Sequence, residues 1–155
     1  AGTKLTLAQN KPLNQQTASQ GLSYQVTDAK RFSNSAKTKR AMQMAQQAFN
    51  IGQLPNPYQT LQVKFTVKNT LSHAVKIDGI RNIRLNGSRT ISSNGISDPS
   101  AGQTINANSA RTFSAMVLVG PTTFKVRQLQ VKFSGSFNNS GQPVAKAPAA
   151  ITVNL

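Results

Sequence analysis

The stretch Leu61-Gln-Val-Lys-Phe-Thr-Val-Lys68 alternates without a slip: Leu61, Val63, Phe65 and Val67 are apolar, and Gln62, Lys64, Thr66 and Lys68 are polar. A period of two puts successive side chains on opposite faces of an extended chain, so this is a strand with one face buried and one in water. Leu129-Gln-Val-Lys-Phe133 repeats the pattern, and both strands turn a basic face to solvent. Thr112 to Val119 is nearly continuous in apolar residues, which suits a strand covered on both sides. Further strands are expected at Lys4 to Ala8, Leu22 to Lys30, Ile80 to Leu85, Phe124 to Arg127 and Ala150 to Leu155.

Turn chemistry separates these segments: Asn69 to Ser72, Asp78-Gly79, Asn86-Gly-Ser88, Asn94-Gly95, Asp98-Pro99, Gly120-Pro121 and Asn138 to Gly141. Short strands at this cadence predict an all-β chain, an immunoglobulin-like Greek-key β-sandwich of about seven to eight strands, without the Cys and Trp pin of antibody domains. The division expected is an N-terminal strand and polar loop over residues 1–20, with residues 21–155 as the remainder of one domain. Asn10 to Gln20 and the tail Asn138 to Ala149 read as loops or mobile segments.

One stretch breaks the pattern. From Ser35 to Phe49 the chain is rich in Ala, Gln, Met and Lys, with Ala41, Met44, Ala45 and Ala48 at helical spacing. This predicts a short helical insertion over about residues 35–50, capped by Asn34 or Ser35 and stopped by Gly52 with Pro55 and Pro57. Met42 and Met44 are expected to pack against the sheet beside Phe49. Lys37, Lys39 and Arg40 fall in the first turns, the wrong sign for the helix dipole.

Charge narrows the function. The 155 residues hold 18 Lys and Arg against 3 acidic side chains, a formal net charge of +15, while 58 are Ser, Thr, Asn or Gln. General acid–base chemistry has only Asp28, Asp78, Asp98 and His73 to draw on, with no Glu and no Cys. That excludes a thiol enzyme, offers no carboxylate pair for a glycosidase, and holds no cluster for zinc or calcium. A Ser with a Lys base is the one enzymatic route left. The expectation is therefore a non-enzymatic protein without cofactor or metal. His73, in the turn Leu71 to Ala74, reads as an ordinary exposed side chain. Asn86-Gly-Ser88 and Asn138-Asn-Ser140 match the glycosylation sequon, which arises often by chance.

The absence of Cys rules out a disulfide scaffold and leaves the compartment open. No apolar run is long enough to span a membrane. The sequence opens at Ala1, which fits an exported chain cut from a leader and also a residue left by an expression tag; the first is the expectation taken forward.

Three passages carry a resemblance: Gly21-Leu-Ser-Tyr-Gln-Val-Thr-Asp-Ala-Lys30, Leu61 to Thr70 followed by Ala74-Val-Lys-Ile77, and Ile105 to Val119. Together they resemble the telokin-like, immunoglobulin-like domains of Gram-positive secreted proteins and lipoproteins, related in fold to a mycobacterial secreted immunoprotective antigen. Asn106-Ala-Asn-Ser109 replaces the Pro-Gly turn usual before the late strand, and the insertion after Arg31 is longer than in relatives. The resemblance implies the sandwich and an extracellular or cell-surface location, with a lipid anchor upstream of Ala1 in the lipoprotein members. It carries over no catalytic residue.

Anion contacts are expected at Lys37, Lys39 and Arg40, where cations meet the unpaired amides of a helix start, with Lys30, Arg31, Arg81, Arg84 and Arg89 as lesser candidates. A solvated basic surface is the plain alternative for the charge run, and Lys64, Lys68 and Lys132 read as guards against edge and face aggregation. The partners that fit are an anionic cell-wall polymer such as teichoic acid or an acidic protein. Nucleic acid ranks below them, because stacking needs aromatics among the cations and the chain has no Trp and two Tyr.

Overall fold

The computed structural model describes residues 2–155, and the alternating segments pair into sheets. β1 (Thr3–Ser19) and β2 (Leu22–Ala36) make a long antiparallel hairpin. It closes at Gln20 and Gly21, whose φ angles of 48° and 94° are the left-handed pair that a two-residue turn between twisted strands requires. α1 (Lys39–Phe49) follows, then β3 (Tyr58–Asn69), β4 (Val75–Ile77), β5 (Ile80–Leu85), β6 (Arg89–Ile91), β7 (Ile96–Ser97) and β8 (Thr104–Ile105). The chain ends with β9 (Ser109–Pro121), β10 (Gln128–Phe133), β11 (Ser136–Phe137), β12 (Pro143–Ala145) and β13 (Ile151–Asn154). The protein is an all-β sandwich with one short helix. Six of these thirteen strands are two or three residues long, so the seven to eight expected corresponds to the longer ones.

The first layer is a five-stranded sheet in the order β1-β2-β3-β9-β7. The second is a sheet broken across its middle, β13-β10-β5-β6 on one side of the break and β12-β11-β4-β8 on the other. β4 and β5 are one run interrupted at Asp78-Gly79, and β10 and β11 one run interrupted at Ser134-Gly135. The two interruptions face each other, since the Ser134 N–H donates to the Gly79 carbonyl at 2.9 Å.

Between the layers lies the core that the alternation specifies. Leu61, Val63, Phe65 and Val67 of β3 are all buried, as are Leu129, Val131 and Phe133 of β10. Phe133 reaches across to stack on Tyr24 of β2 at 4.5 Å between centroids and to tilt against Phe65 at 5.0 Å. A smaller cluster on the outer face of the first sheet joins Phe49 of α1 to Tyr58 and Leu118. It fastens the C-terminal end of the helix to β3 and β9.

Four local expectations are corrected. Asn10 to Gln20, expected as loop, is strand as far as Ser19: β1 pairs with β2 to that residue, with register shifts after Leu7 and Pro12. It is the outermost strand, and its side chains lie largely in water on both faces, so no alternation is demanded of its sequence. The helix starts at Lys39 instead of about Ser35, because β2 keeps its ladder to β1 as far as Thr3 opposite Ala36. Thr38 is consequently the cap, its Oγ1 accepting from the Ala41 N–H at 3.0 Å, and Asn50 in the left-handed conformation ends the helix ahead of Gly52. Phe124 to Arg127 is not a strand: the Asn86 side chain holds it, accepting from the Arg127 and Gln128 N–H groups and donating to the Lys125 carbonyl. Within the tail, residues 143–145 form β12.

Candidate anion-binding surface

Lys37, Lys39 and Arg40 follow directly on the end of β2 and are all exposed. The Lys37 N–H donates to the Gly2 carbonyl at 2.6 Å, which ties this corner to the start of β1. No acidic residue stands in the first turn of α1, so three cations converge on the positive end of the helix dipole with nothing local to offset them.

The remaining predicted cations do not join this cluster. Lys30 and Arg31 are adjacent on β2 and therefore face opposite ways. Lys30 lies opposite Gln62 on the outer face, while Arg31 lies opposite Leu61, half-buried, its Nε enclosed without a partner. Lys30 also stands six residues down the strand from Ala36, about 20 Å of extended chain. Arg81, Arg84 and Arg89 are exposed but belong to the second layer, on β5 and β6. Arg84 sits opposite Thr90, and the odd step to Arg81 is complicated by a register shift at that end of β5. Arg89 is engaged in the fold: its Nη1 donates to the Val119 carbonyl and its guanidinium lies over the Phe124 ring, 5.6 Å from the centroid.

The cationic guards divide in the same way. Lys132 donates through Nζ to the Pro148 carbonyl. Lys64 and Lys68, by contrast, stand exposed on the outer face of the first sheet. There the rows read Lys30 opposite Gln62, Asp28 opposite Lys64 opposite Ser114, Gln25 opposite Thr66 opposite Thr112, and Ser23 opposite Lys68. A polar, basic sheet face thus continues away from the helix, set by the same alternation that fills the core.

Between α1 and this outer face runs a groove of about 770 Å³. Ala41, Met44, Ala45, Ala48 and Phe49 form its helical wall; Leu5, Tyr58 and Met116 line the sheet side; Arg40 stands at its edge. Within it Asn34 Nδ2 donates to Thr60 Oγ1 at 3.0 Å and to the Tyr58 carbonyl at 3.1 Å, and Thr38 Oγ1 caps the helix. Met44 is 60% exposed, as are Leu5 at 57% and Leu7 at 52%. This corrects the expectation that Met44 packs on the sheet, for the buried residues of the helix are Ala41 near its start and Phe49 at its far end. The alanine stripe and the Lys4 to Ala8 alternation were the sequence traces of this groove, but nothing in either says that they meet.

Burial pushes the Tyr24 hydroxyl up to about 12 and raises that of Tyr58 in the same direction. Among the described residues no three His, Asp or Glu side chains come together as a metal site, and no helix is long and apolar enough to cross a membrane.

No protein-family model matches the chain, and no curated protein matches it. Among solved structures, the crystal structure of a functionally unknown protein from Listeria monocytogenes EGD-e aligns with a TM-score of 0.56 at 11% identity, covering 98% of this chain and 87% of that one. An X-ray structure of a Northeast Structural Genomics Consortium target aligns at 10% identity with a TM-score of 0.46, covering 99% of this chain and 87% of its own. The Listeria likeness bears on the fold alone.

Proposed function

We propose that this domain is a non-enzymatic binding module of the cell exterior, secreted or held at the surface, that engages an anionic cell-envelope polymer or an acidic protein partner. The observation that carries the reading is the exposed trio Lys37, Lys39 and Arg40, without an acid in the first turn of α1, on a chain of net charge +15. Such a field concentrates polyanions at the surface, and its affinity falls steeply with salt. The basic rows Lys30, Lys64 and Lys68 supply a track along which a flexible polymer extends.

One of the three acidic groups is committed to the fold and supports a non-catalytic reading. Asp98 is occupied in its own loop, accepting from the Ile80 N–H, the Ser100 N–H and the Ser100 hydroxyl. Nucleic acid competes for the same cations, yet Tyr24 and Tyr58 are both buried and no Trp is present, so tyrosine and tryptophan offer no stacking platform for bases.

Equilibrium binding to purified teichoic acid and to single- and double-stranded DNA, each across a salt series, tests the reading. The expected result is a preference for the wall polymer at physiological salt. A Lys37/Lys39/Arg40→Ala variant is expected to lose more polymer affinity than Lys76/Lys125/Lys146→Ala, which removes equal charge from exposed positions elsewhere. Equal losses would mean that the charge acts diffusely, and tighter binding to DNA would replace the polymer with nucleic acid.

A further inference from the structure

The groove beneath α1 has a chemistry that the polyanion reading does not use. Its walls are mostly apolar, and the Asn34 Nδ2 in its lining is bound within the protein, to the Thr60 hydroxyl and the Tyr58 carbonyl. An extended peptide laid there brings a backbone N–H and C=O at every residue, and a lining this apolar offers few partners for them. A hydrocarbon chain needs none. Along the helical wall Ala41, Ala45 and Ala48 form a stripe of small side chains beside Met44 and Phe49, which leaves a channel where larger residues would close it. Its volume, about 770 Å³, lies in the range of small-molecule sites.

Charge selects the rest of the ligand. Arg40 stands at the groove's edge, with Lys37 and Lys39 beside it in sequence and exposed. A second copy of the chain, itself at +15, would bring like charge to this corner. We propose that the groove binds a single-chain anionic lipid, its hydrocarbon along the alanine stripe between Met44 and Met116 and its phosphate or carboxylate head at Arg40. The site shares Arg40 with the polyanion surface but adds a hydrocarbon channel that a polyanion does not use, so shifts at Met116 report on the groove whatever becomes of polyanion binding.

The three methionines give a direct readout. Met44 and Met116 line the groove and Met42 does not. In the full chain labelled at the methionine methyls, dodecyl phosphate below its micelle concentration is expected to shift Met44 and Met116 saturably while leaving Met42 in place. Dodecyl maltoside is expected to bind about tenfold more weakly, the ratio that one charge-assisted hydrogen bond supplies. Inorganic phosphate alone is expected to leave Met116 unmoved. Ala48→Phe, filling the groove from an exposed helical position, is expected to abolish the shifts, and Arg40→Ala to remove the preference for phosphate over maltoside. Should Ala48→Phe misfold, the comparison of the three ligands on the unaltered chain decides the matter. Equal movement of Met42, an absence of any shift with dodecyl phosphate, or the same shifts from an acidic peptide and none from the lipid would each overturn the proposal.

Discussion

Gly79 lies against the carboxylate of Asp98 so closely that a Cβ at position 79 would overlap its Oδ2. That oxygen accepts from the Ile80 N–H at 2.7 Å, and Oδ1 accepts from the Ser100 N–H and hydroxyl at 2.9 and 2.7 Å. The site is the break between β4 and β5, where the ladder lapses and backbone donors need other acceptors. The carboxylate supplies them and links the loop before β8 to the middle of the second layer.

Asp98→Ala removes a charged acceptor and strands the Ile80 N–H, at an expected cost of about 2–3 kcal/mol. Gly79→Ala is expected to destabilise by about 1 kcal/mol or more, because φ of 73° is strained for any other residue and the carboxylate has to move. Urea midpoints at neutral pH check both. Wild-type stability in Asp98→Ala would show that water satisfies the break unaided.

Arg89 serves the fold, so its loss is expected to register in stability and not in polymer binding. Its bond to the Val119 carbonyl and its seat over Phe124 together contribute about 1–2 kcal/mol. Arg89→Lys keeps the charge but neither the planar fork nor the stacking, and is expected to recover less than half of that. Thermal melts of Arg89→Ala and Arg89→Lys, read beside their teichoic-acid affinities, separate the two roles. An affinity loss as large as that of Lys39→Ala would return Arg89 to the anion surface.

How much the sequence disclosed depended on how each element is buried. β3 and β10 each press one face onto the core and leave the other in water, and their period of two reads directly from Leu61 to Lys68 and from Leu129 to Phe133. Asn10 to Ser19 is as much a strand, but both its faces lie largely in water and neither is selected for apolar residues, so its polar composition reads as loop. β7, β8 and β11 are two residues long and too short to carry any period. Lys37, Lys39 and Arg40 stay together because they are neighbours in sequence; Lys30 is carried off by the rise of an extended strand, a separation that counting charges does not reveal. The groove joins Leu5, Ala45 and Met116, which only the tertiary fold brings together.

The buried hydroxyl of Tyr24 gives stability an alkaline limit. The folded value, about 12, lies above the ordinary 10.0, so the unfolded chain loses the proton first as pH rises. The contribution is complete below about pH 10 and is lost on approach to about pH 12. Relative to Tyr24→Phe, the wild type is expected to lose about 1 kcal/mol between about pH 9 and pH 11. Tyr58 and the lysines are common to both proteins and cancel in the difference. Parallel urea titrations at the two pH values measure it, and identical pH profiles would mean that Tyr24 is hydrated in the fold.

Gly2 offers a way to move the basic corner without touching a charge. A Cβ built there stands 2.7 Å from the Cβ of Ala41, closer than two such atoms pack, and the Gly2 carbonyl accepts from the Lys37 N–H. Gly2→Ala therefore pushes the first turn of α1 away from β1, with an overpacking cost of about 1–3 kcal/mol confined to that corner. Amide exchange is expected to quicken at Ala41 to Ala45 and to stay unchanged along β10, which lies in the other layer. Polymer affinity is expected to fall along with it if the trio binds as a placed group, whereas an unchanged affinity with a loosened helix would show that the cations act wherever they float.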